Sequence, residues 1–382
     1  MERRSVLLSF TKSIRSFIFS SLAVAIPFYL YSLGYTVLVT SAVIFASLAV
    51  STAFLYVFTA ISIRVKRKLL LLSSLLSLSL LILYLGNGLT FLILAMVIGS
   101  ISFAGRDLTV NQSLEQYSIS TFITDQKEKN RLFSVYNFAS YVSGAMASAF
   151  LFLYKAENFK VIFLVSLGLS VFQIIIYSAV SFPELNRTLQ KKAISDRGVR
   201  GEIRTLASLF AVDSLGGGLV NTAVIALWFR AVYGINLSHA GLIFIFVNVI
   251  TALSVIASSH LSNGIGLVKT MVYTHIISNV MLLMVPVFHS LILSEFFLFL
   301  RQSTSQMDVP ARDSFVNTVI PGDARVASNS VFLGVRNGFQ IPGPGLAGIF
   351  LEIFPGGVFV SAALIKIGYD LVFFAKYRSY RI

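Results

Sequence analysis

The side chains in this sequence that could do chemistry are ionisable groups set inside long apolar runs. Arg301 stands ten residues beyond Leu291, which at 1.5 Å per helical residue is about 15 Å into a hydrocarbon layer, near its midplane. Arg106 takes the matching place in the first half of the chain. Asp107, Asn111 and Glu115 then follow at i, i+4 and i+8, one face of a helix, and Arg301, Thr304 and Asp308 follow i, i+3, i+7 in the same way. Such stripes either line a water-filled inner cavity or lock helices together by charge. Asp213 precedes Gly216-Gly217-Gly218 and Asn221. A carboxylate there can take up and release a proton, or stay paired with Arg301 or Arg336. Arg336 lies between Gly334 and Gly338, a small-xxx-small packing face, with Gln340 one turn later. Pro342 and Pro344 break the helix beyond it. This arginine could clamp an anionic solute or neutralise Asp213 or Asp308. Lys366 and Asp370, at i and i+4, can neutralise each other. Charged groups are costly in hydrocarbon, so each of these residues is a functional candidate by position alone.

Other chemistries find no footing. The chain has no cysteine and only four histidines, which leaves disulfides and thiolate chemistry out and a metal site without a ligand set. No nucleophile elbow, phosphate loop or paired-histidine motif occurs. We expect no enzyme activity, no cofactor and no metal.

These residues must be carried by membrane-spanning helices. Of 382 residues, 56% are apolar and only 12% are charged, with a mean hydropathy of +0.83. Such a composition excludes a soluble domain, a disordered chain and a collagen-like chain. Twelve apolar runs are long enough to approach a bilayer crossing, near 16–33, 36–61, 69–85, 89–116, 134–154, 161–181, 206–229, 239–259, 270–288, 291–315, 327–352 and 357–375. The first run follows Arg3, Arg4, Lys12 and Arg15 as a secretory signal would, but it reads as an uncleaved first span. Lysine and arginine total 30 against 16 aspartate and glutamate. Placing the amino terminus in the cytoplasm puts most of that excess on one side. It collects in the tail, in the second loop (Arg64, Lys66, Arg67, Lys68), around Arg131 and Arg325, and in the central break. The excess therefore records orientation, with contact to lipid headgroups and no nucleic-acid partner. Both termini are expected in the cytoplasm, in a multi-pass plasma-membrane protein that acts as a monomer.

The longest polar break, 182–204, divides an amino-terminal bundle (1–181) from a carboxy-terminal bundle (205–382), six spans each. The halves echo one another. Arg106 and Arg301 match, as do Thr109 and Thr304, Arg131 and Arg325, and Gly34 and Gly234, at shifts between 194 and 200. Duplicated six-helix halves are a known transporter plan.

On these features the sequence resembles the major facilitator superfamily over nearly its whole length. The sharpest stretch runs Ser305-Gln-Met-Asp308-Val-Pro310-Ala-Arg312, through Arg325, to Pro342-Gly-Pro344-Gly-Leu-Ala-Gly348, and is similar to spans 10–11 of bacterial and archaeal multidrug-efflux-like members. The resemblance implies an all-α polytopic fold of about twelve transmembrane helices in two pseudo-symmetric six-helix bundles. It further implies a central cavity lined by spans 1, 4, 7 and 10, and alternating access by rocking. Two family features are absent. The second loop, Thr59 to Lys68, keeps its basic end but lacks the family's Gly and Asp, so the usual charge lock is not carried over. Span 5 lacks the glycine ladder of proton antiporters and shows only Gly144 among small polar residues. The reading is a secondary transporter of a small organic solute, with proton-coupled efflux favoured. The alternatives are uptake of an organic anion, through Arg106, Arg301 and Arg336, and a non-transporting receptor or scaffold on the same fold. Basic residues of the second loop, with Arg131 and Arg325, are candidates for gating.

Overall fold

The computed structural model describes residues 3–61, 63–105, 109–123, 126–154, 158–183, 197–321 and 324–379. Every regular element among them is an α-helix, and there are sixteen: α1 (Arg3–Ser32), α2 (Val37–Ala60), α3 (Val65–Leu85), α4 (Leu89–Gly99), α5 (Val110–Phe122), α6 (Gln126–Leu153), α7 (Phe159–Ala179), α8 (Arg197–Leu219), α9 (Thr222–Tyr233), α10 (Leu237–Ile265), α11 (Leu267–Met284), α12 (Leu291–Ser305), α13 (Asp308–Val319), α14 (Arg325–Gln340), α15 (Pro342–Ile353) and α16 (Gly357–Tyr377). With no strand partners in hydrocarbon, helices satisfy every backbone group within the segment, which is why such apolar runs fold this way. Each of the twelve runs maps onto one helix or onto two helices meeting at a break. Run 4 is α4 and α5, run 7 is α8 and α9, run 10 is α12 and α13, and run 11 is α14 and α15. Eight candidate spans among the described residues are long and apolar enough to cross a membrane on those grounds alone.

The first helix corrects one expectation. The sequence from Arg3 to Arg15 has no proline or glycine, and α1 begins at Arg3. Arg15 is therefore a helix residue with no solvent exposure, not part of a polar tail.

By contact the chain forms two compact units. One comprises Met1–Leu185 with Asn221–Asn248, and the other Asn186–Val220 with Val249–Ile382. The segment 221–248 thus packs with the first unit, although its place in the sequence is in the second half. Within the first unit α1 packs on α6, α7 and α9, and α3 on α4 and α7. Its core holds Phe19, Leu22, Leu80 and Phe163. Within the second unit α8 packs on α14, α15 and α16, and α11 on α12, α13 and α16. Phe210, Phe315 and Phe373 anchor that core. Burying each such side chain contributes about 1.5–3 kcal/mol relative to water exposure, although lipid narrows that margin.

The breaks have identifiable causes. Span 4 stops where Ser100 turns left-handed (φ 53) and Gly105 takes φ 84. Freed backbone groups find partners there, and the Phe103 amide donates to Ser47 Oγ at 3.1 Å. Span 10 stops between Ser305 and Asp308, and the freed Met307 carbonyl accepts from Ser258 Oγ. Ser47 lies on span 2 and Ser258 on span 8, so each half uses its second span to serve the break in its fourth. Gly34 and Gly234, matched in the sequence, both take positive φ at the turns after spans 1 and 7. Span 11 breaks at Ile341, ahead of Pro342, as its prolines require.

Candidate functional site

Arg106 and Asp107 lie outside the described residues, as does most of the central linker. The rest of the span 4 stripe is placed. Asn111 and Glu115 share the buried face of α5, at 3% and 0% exposure. Helix α5 starts at Val110, so of that stripe Asn111 and Glu115 are the two residues placed, on one face of this helix.

Glu115 is the centre of a closed network in the first unit. Arg15 grips it with two nitrogens, at 2.8 and 2.5 Å. Tyr136 and Tyr177 hydroxyls donate to it, each at 2.6 Å, and Thr11 Oγ1 donates as well. Tyr177 in turn accepts from Arg15 at 2.6 Å and from Gln173 at 3.0 Å. That phenol has one donor and two acceptor positions, and all three are used. A bidentate arginine with this many hydrogen bonds is the geometry a buried ion pair needs to hold. The network ties α1, α5, α6 and α7 together. Sequence reading missed Arg15, Tyr136 and Tyr177, although the unbroken helical run through Arg15 was a usable signal.

Beside this network lies a cavity of about 20 Å³, room for about one water. Arg15, Asn111, Thr109, Ser100, Ser51 and Phe19 are on its wall. Asn111 donates to Ser73 Oγ at 3.3 Å. The buried hydroxyl of Ser51 makes no hydrogen bond to any described residue. Asn221 has a structural use here. It caps α9, its Oδ1 accepting from the Val224 amide at 3.0 Å, and so organises the break in span 7.

In the second unit the partners differ from those the sequence suggested. Asp213 pairs with Lys366, at 2.6 Å, not with Arg301 or Arg336. Asp370 pairs with His275 at 2.8 Å, so Lys366 and Asp370 do not simply neutralise each other along α16. The three glycines after Asp213 make room for these contacts. A Cβ on Gly216 would lie 2.8 Å from Lys366 Cγ, and one on Gly218 would run into the Gln340 carbonyl. Gly343 faces Gly218 just as closely. Gly338, by contrast, has nothing within 4 Å of a Cβ, while Gly218 and Gly343 pack backbone to backbone. The break in span 10 also divides the second stripe. Arg301 ends in α12 with Nη1 on Gln302 Oε1 at 3.1 Å, while Asp308 opens α13 and pairs with Arg312 at 3.0 Å. Arg336 on α14 is half-buried and faces Asp313, and Gln340 is 4% exposed.

Among the loop candidates, Arg64 and Arg67 are exposed. Lys66 Nζ donates to the Ser178 carbonyl at 2.6 Å. Lys68 is fully buried and donates to the carbonyls of Phe58 and Ile61, at 2.6 and 2.8 Å. It closes the carboxy-terminal end of α2, where a cation suits unpaired carbonyls and the helix dipole. Lys68→Met is expected to cost about 2 kcal/mol in thermal unfolding of the detergent-solubilised protein, since a charged donor is lost. Arg67→Met, at the exposed neighbour, is the comparison and is expected to change little. The side chains of Arg131 and Arg325 lie outside the described residues.

No family model and no curated protein matches the sequence. Solved structures do match in fold. A POT family transporter in complex with 5-aminolevulinic acid aligns with TM-score 0.80 at 12% identity, over 98% of this chain and 96% of its own. The nucleoside transporter NupG aligns with TM-score 0.72 at 13% identity, over 99% and 100%. The human organic anion transporter MFSD10 aligns with TM-score 0.71 at 13% identity, over 98% and 100%. The chain therefore has the all-α, polytopic, two-bundle fold of the major facilitator type.

Proposed function

We propose that the chain is a secondary transporter that carries a small organic solute across the membrane by alternating access, coupled to protons and working as an efflux system. The observation that carries this reading is the end-to-end alignment with solute transporters, reached by a chain whose spans 4, 7, 10 and 11 are broken beside buried charged and polar side chains. Irregular backbone at membrane depth is tolerated only where protein or water surrounds it, and discontinuous helices of this kind bind solutes in transporters. Asn111 with the cavity wall, and Arg301, Arg336, Gln340, Asp308 and the unplaced Arg106 and Asp107, are the side chains we assign to the solute path. Glu115 and Asp213 hold the halves' buried charge networks. The two bundles, 1–181 and 205–382, would move about the linker, with Arg64, Lys66, Arg67, Arg131 and Arg325 at the cytoplasmic gate of a monomer.

A second reading, uptake of an organic anion, is favoured by one observation, the fold match to an organic anion transporter. Reconstitution separates the two. Purified protein in liposomes is given labelled 5-aminolevulinic acid, uridine or ethidium with an imposed pH gradient. We expect movement of at least one probe above protein-free liposomes, in the direction opposite to the proton gradient. Movement of 5-aminolevulinic acid, the carboxylate-bearing probe, along with protons supports uptake instead. No movement of any probe sinks the transporter reading, and movement that ignores the gradient sinks proton coupling.

A further inference from the structure

The second unit holds a buried chain of four ionisable side chains drawn from three helices. Lys366 Nζ on α16 lies 2.6 Å from Asp213 Oδ1 on α8 and 3.4 Å from His275 Nε2 on α11. His275 Nδ1 meets both oxygens of Asp370 on α16, at 2.8 and 2.9 Å. His275 Nε2 also lies 3.7 Å from Asp213 Oδ1. The Asn279 amide reaches Asp370 at 3.5 Å. None of the four is more than 7% exposed.

The carboxylate at Nδ1 sets the tautomer. Nδ1 carries hydrogen and donates to Asp370, which leaves the Nε2 lone pair facing Lys366 and Asp213. Neutral His275 then accepts a hydrogen bond from the Lys366 ammonium. A proton added at Nε2 reverses that contact. The new Nε2–H is a donor whose nearest carboxylate is Asp213, and the imidazolium stands 3.4 Å from the Lys366 ammonium, a like-charge pair in a low-dielectric setting. Asp213 gains a second cation on α11 while Lys366 on α16 loses one of its two acceptors and is repelled.

Further charged groups surround this chain. Arg312 on α13 and Tyr369 on α16 face Asp213, Asp308 and Asp313 face Arg312, and Arg336 on α14 faces Asp313. Arg301, on α12 beside α11, has its guanidinium on Gln302. Among these described groups four carboxylates, one of them the exposed Asp313, stand against four permanent cations, Lys366, Arg312, Arg336 and Arg301. A proton on His275 therefore adds net positive charge to a largely buried set, and a shift of Asp213 toward it offsets that cost.

We propose that His275 is the proton-binding site of the transport cycle, and that its protonation moves Asp213 from Lys366 toward His275, loosening α16 from α8. The proton comes from water and returns to water, and no covalent bond other than Nε2–H forms or breaks. This rests on the transporter reading above.

Two measurements test it. In ¹⁵N-histidine NMR of the full chain in detergent micelles, the His275 signals, assigned by their loss in His275→Gln, are expected to pass from the neutral to the imidazolium form as the pH is lowered. Asp370→Asn is expected to move that transition. Signals that keep one protonation form throughout overturn the proposal. In proteoliposomes, a one-unit pH gradient sustains about tenfold accumulation of a solute coupled to one proton. His275→Gln, checked for monodispersity, is expected to lose that accumulation while solute exchange at equal pH continues. A second variant, Lys366→Gln, is expected to show the same split. Undiminished accumulation in both variants overturns the proposal and leaves the transporter reading intact. If the unaltered chain moves none of the three probes, the transporter reading alone fails, and the NMR transition decides whether His275 binds the proton.

Discussion

Arg15→Met is expected to destabilise the protein by about 3–5 kcal/mol, the cost of breaking a buried pair from one side. Arg15 and Glu115 have no exposure, so neither can turn to water when its partner goes. Without the guanidinium, Glu115 keeps donors from Thr11, Tyr136 and Tyr177, but its negative charge has no cation within the network. Tyr177 loses one of its two donors in the same change. The double variant Arg15→Met, Glu115→Gln removes the stranded charge while an amide oxygen still accepts from the tyrosines. It is expected to recover more than half of the loss, a coupling within the 0.5–3 kcal/mol seen for contacting residues. Thermal unfolding of the detergent-solubilised protein measures both. A single variant that loses less than about 1 kcal/mol would falsify the view that this pair organises the first unit, because solvent would then be reaching Glu115.

Gly218→Val comes second in expected effect. The Gln340 carbonyl lies where its Cβ would go, and Gly343 lies close against the Gly218 backbone. Those are backbone atoms at the junction of α14 and α15, with no rotamer to change, so α8 must move away from α15 as a whole. Overpacking of a core by side chains alone costs about 1–3 kcal/mol, and a backbone collision with a β-branched residue should exceed the upper end. The expected result is loss of monodisperse protein, or a fall in unfolding midpoint larger than that of Arg67→Met by a wide margin. Gly338→Ala, on α14 with open space at its Cβ, is the control. It is expected to be neutral or to stabilise by up to about 1 kcal/mol, since alanine suits a helix better. Equal behaviour of the two variants would sink the assignment of Gly218 as the contact point.

Much of the fold was legible because its determinants are local. Apolar runs of span length, Gly34 and Gly234 at turns, and Pro342 after the end of α14 each act within a few residues of themselves. The break in span 11 at its prolines was legible for the same reason. So was the list of suspects, since any charge inside a span is costly wherever the helix lies. His275 belonged on that list and was passed over, although it stands within a run already read as a span.

The pairing of those charges was not legible. Helical periodicity relates residues three or four apart, so it joined Lys366 to Asp370 and drew stripes along spans 4 and 10. The contacts that formed join Arg15 to Glu115 and Asp213 to Lys366, across about a hundred residues or more. Their choice depends on which helix faces which and at what height, and that is set by the packing of α1 on α6 and α7, and of α8 on α16. The same packing turned Lys68 from a gate candidate into the cap of α2, and Asn221 into the cap of α9. Sequence alone determined that this is a helical membrane protein with charges that must be accounted for. Tertiary structure decided which of them neutralise one another, because a buried charge takes the partner that helix packing brings within reach and not the nearest one along the chain.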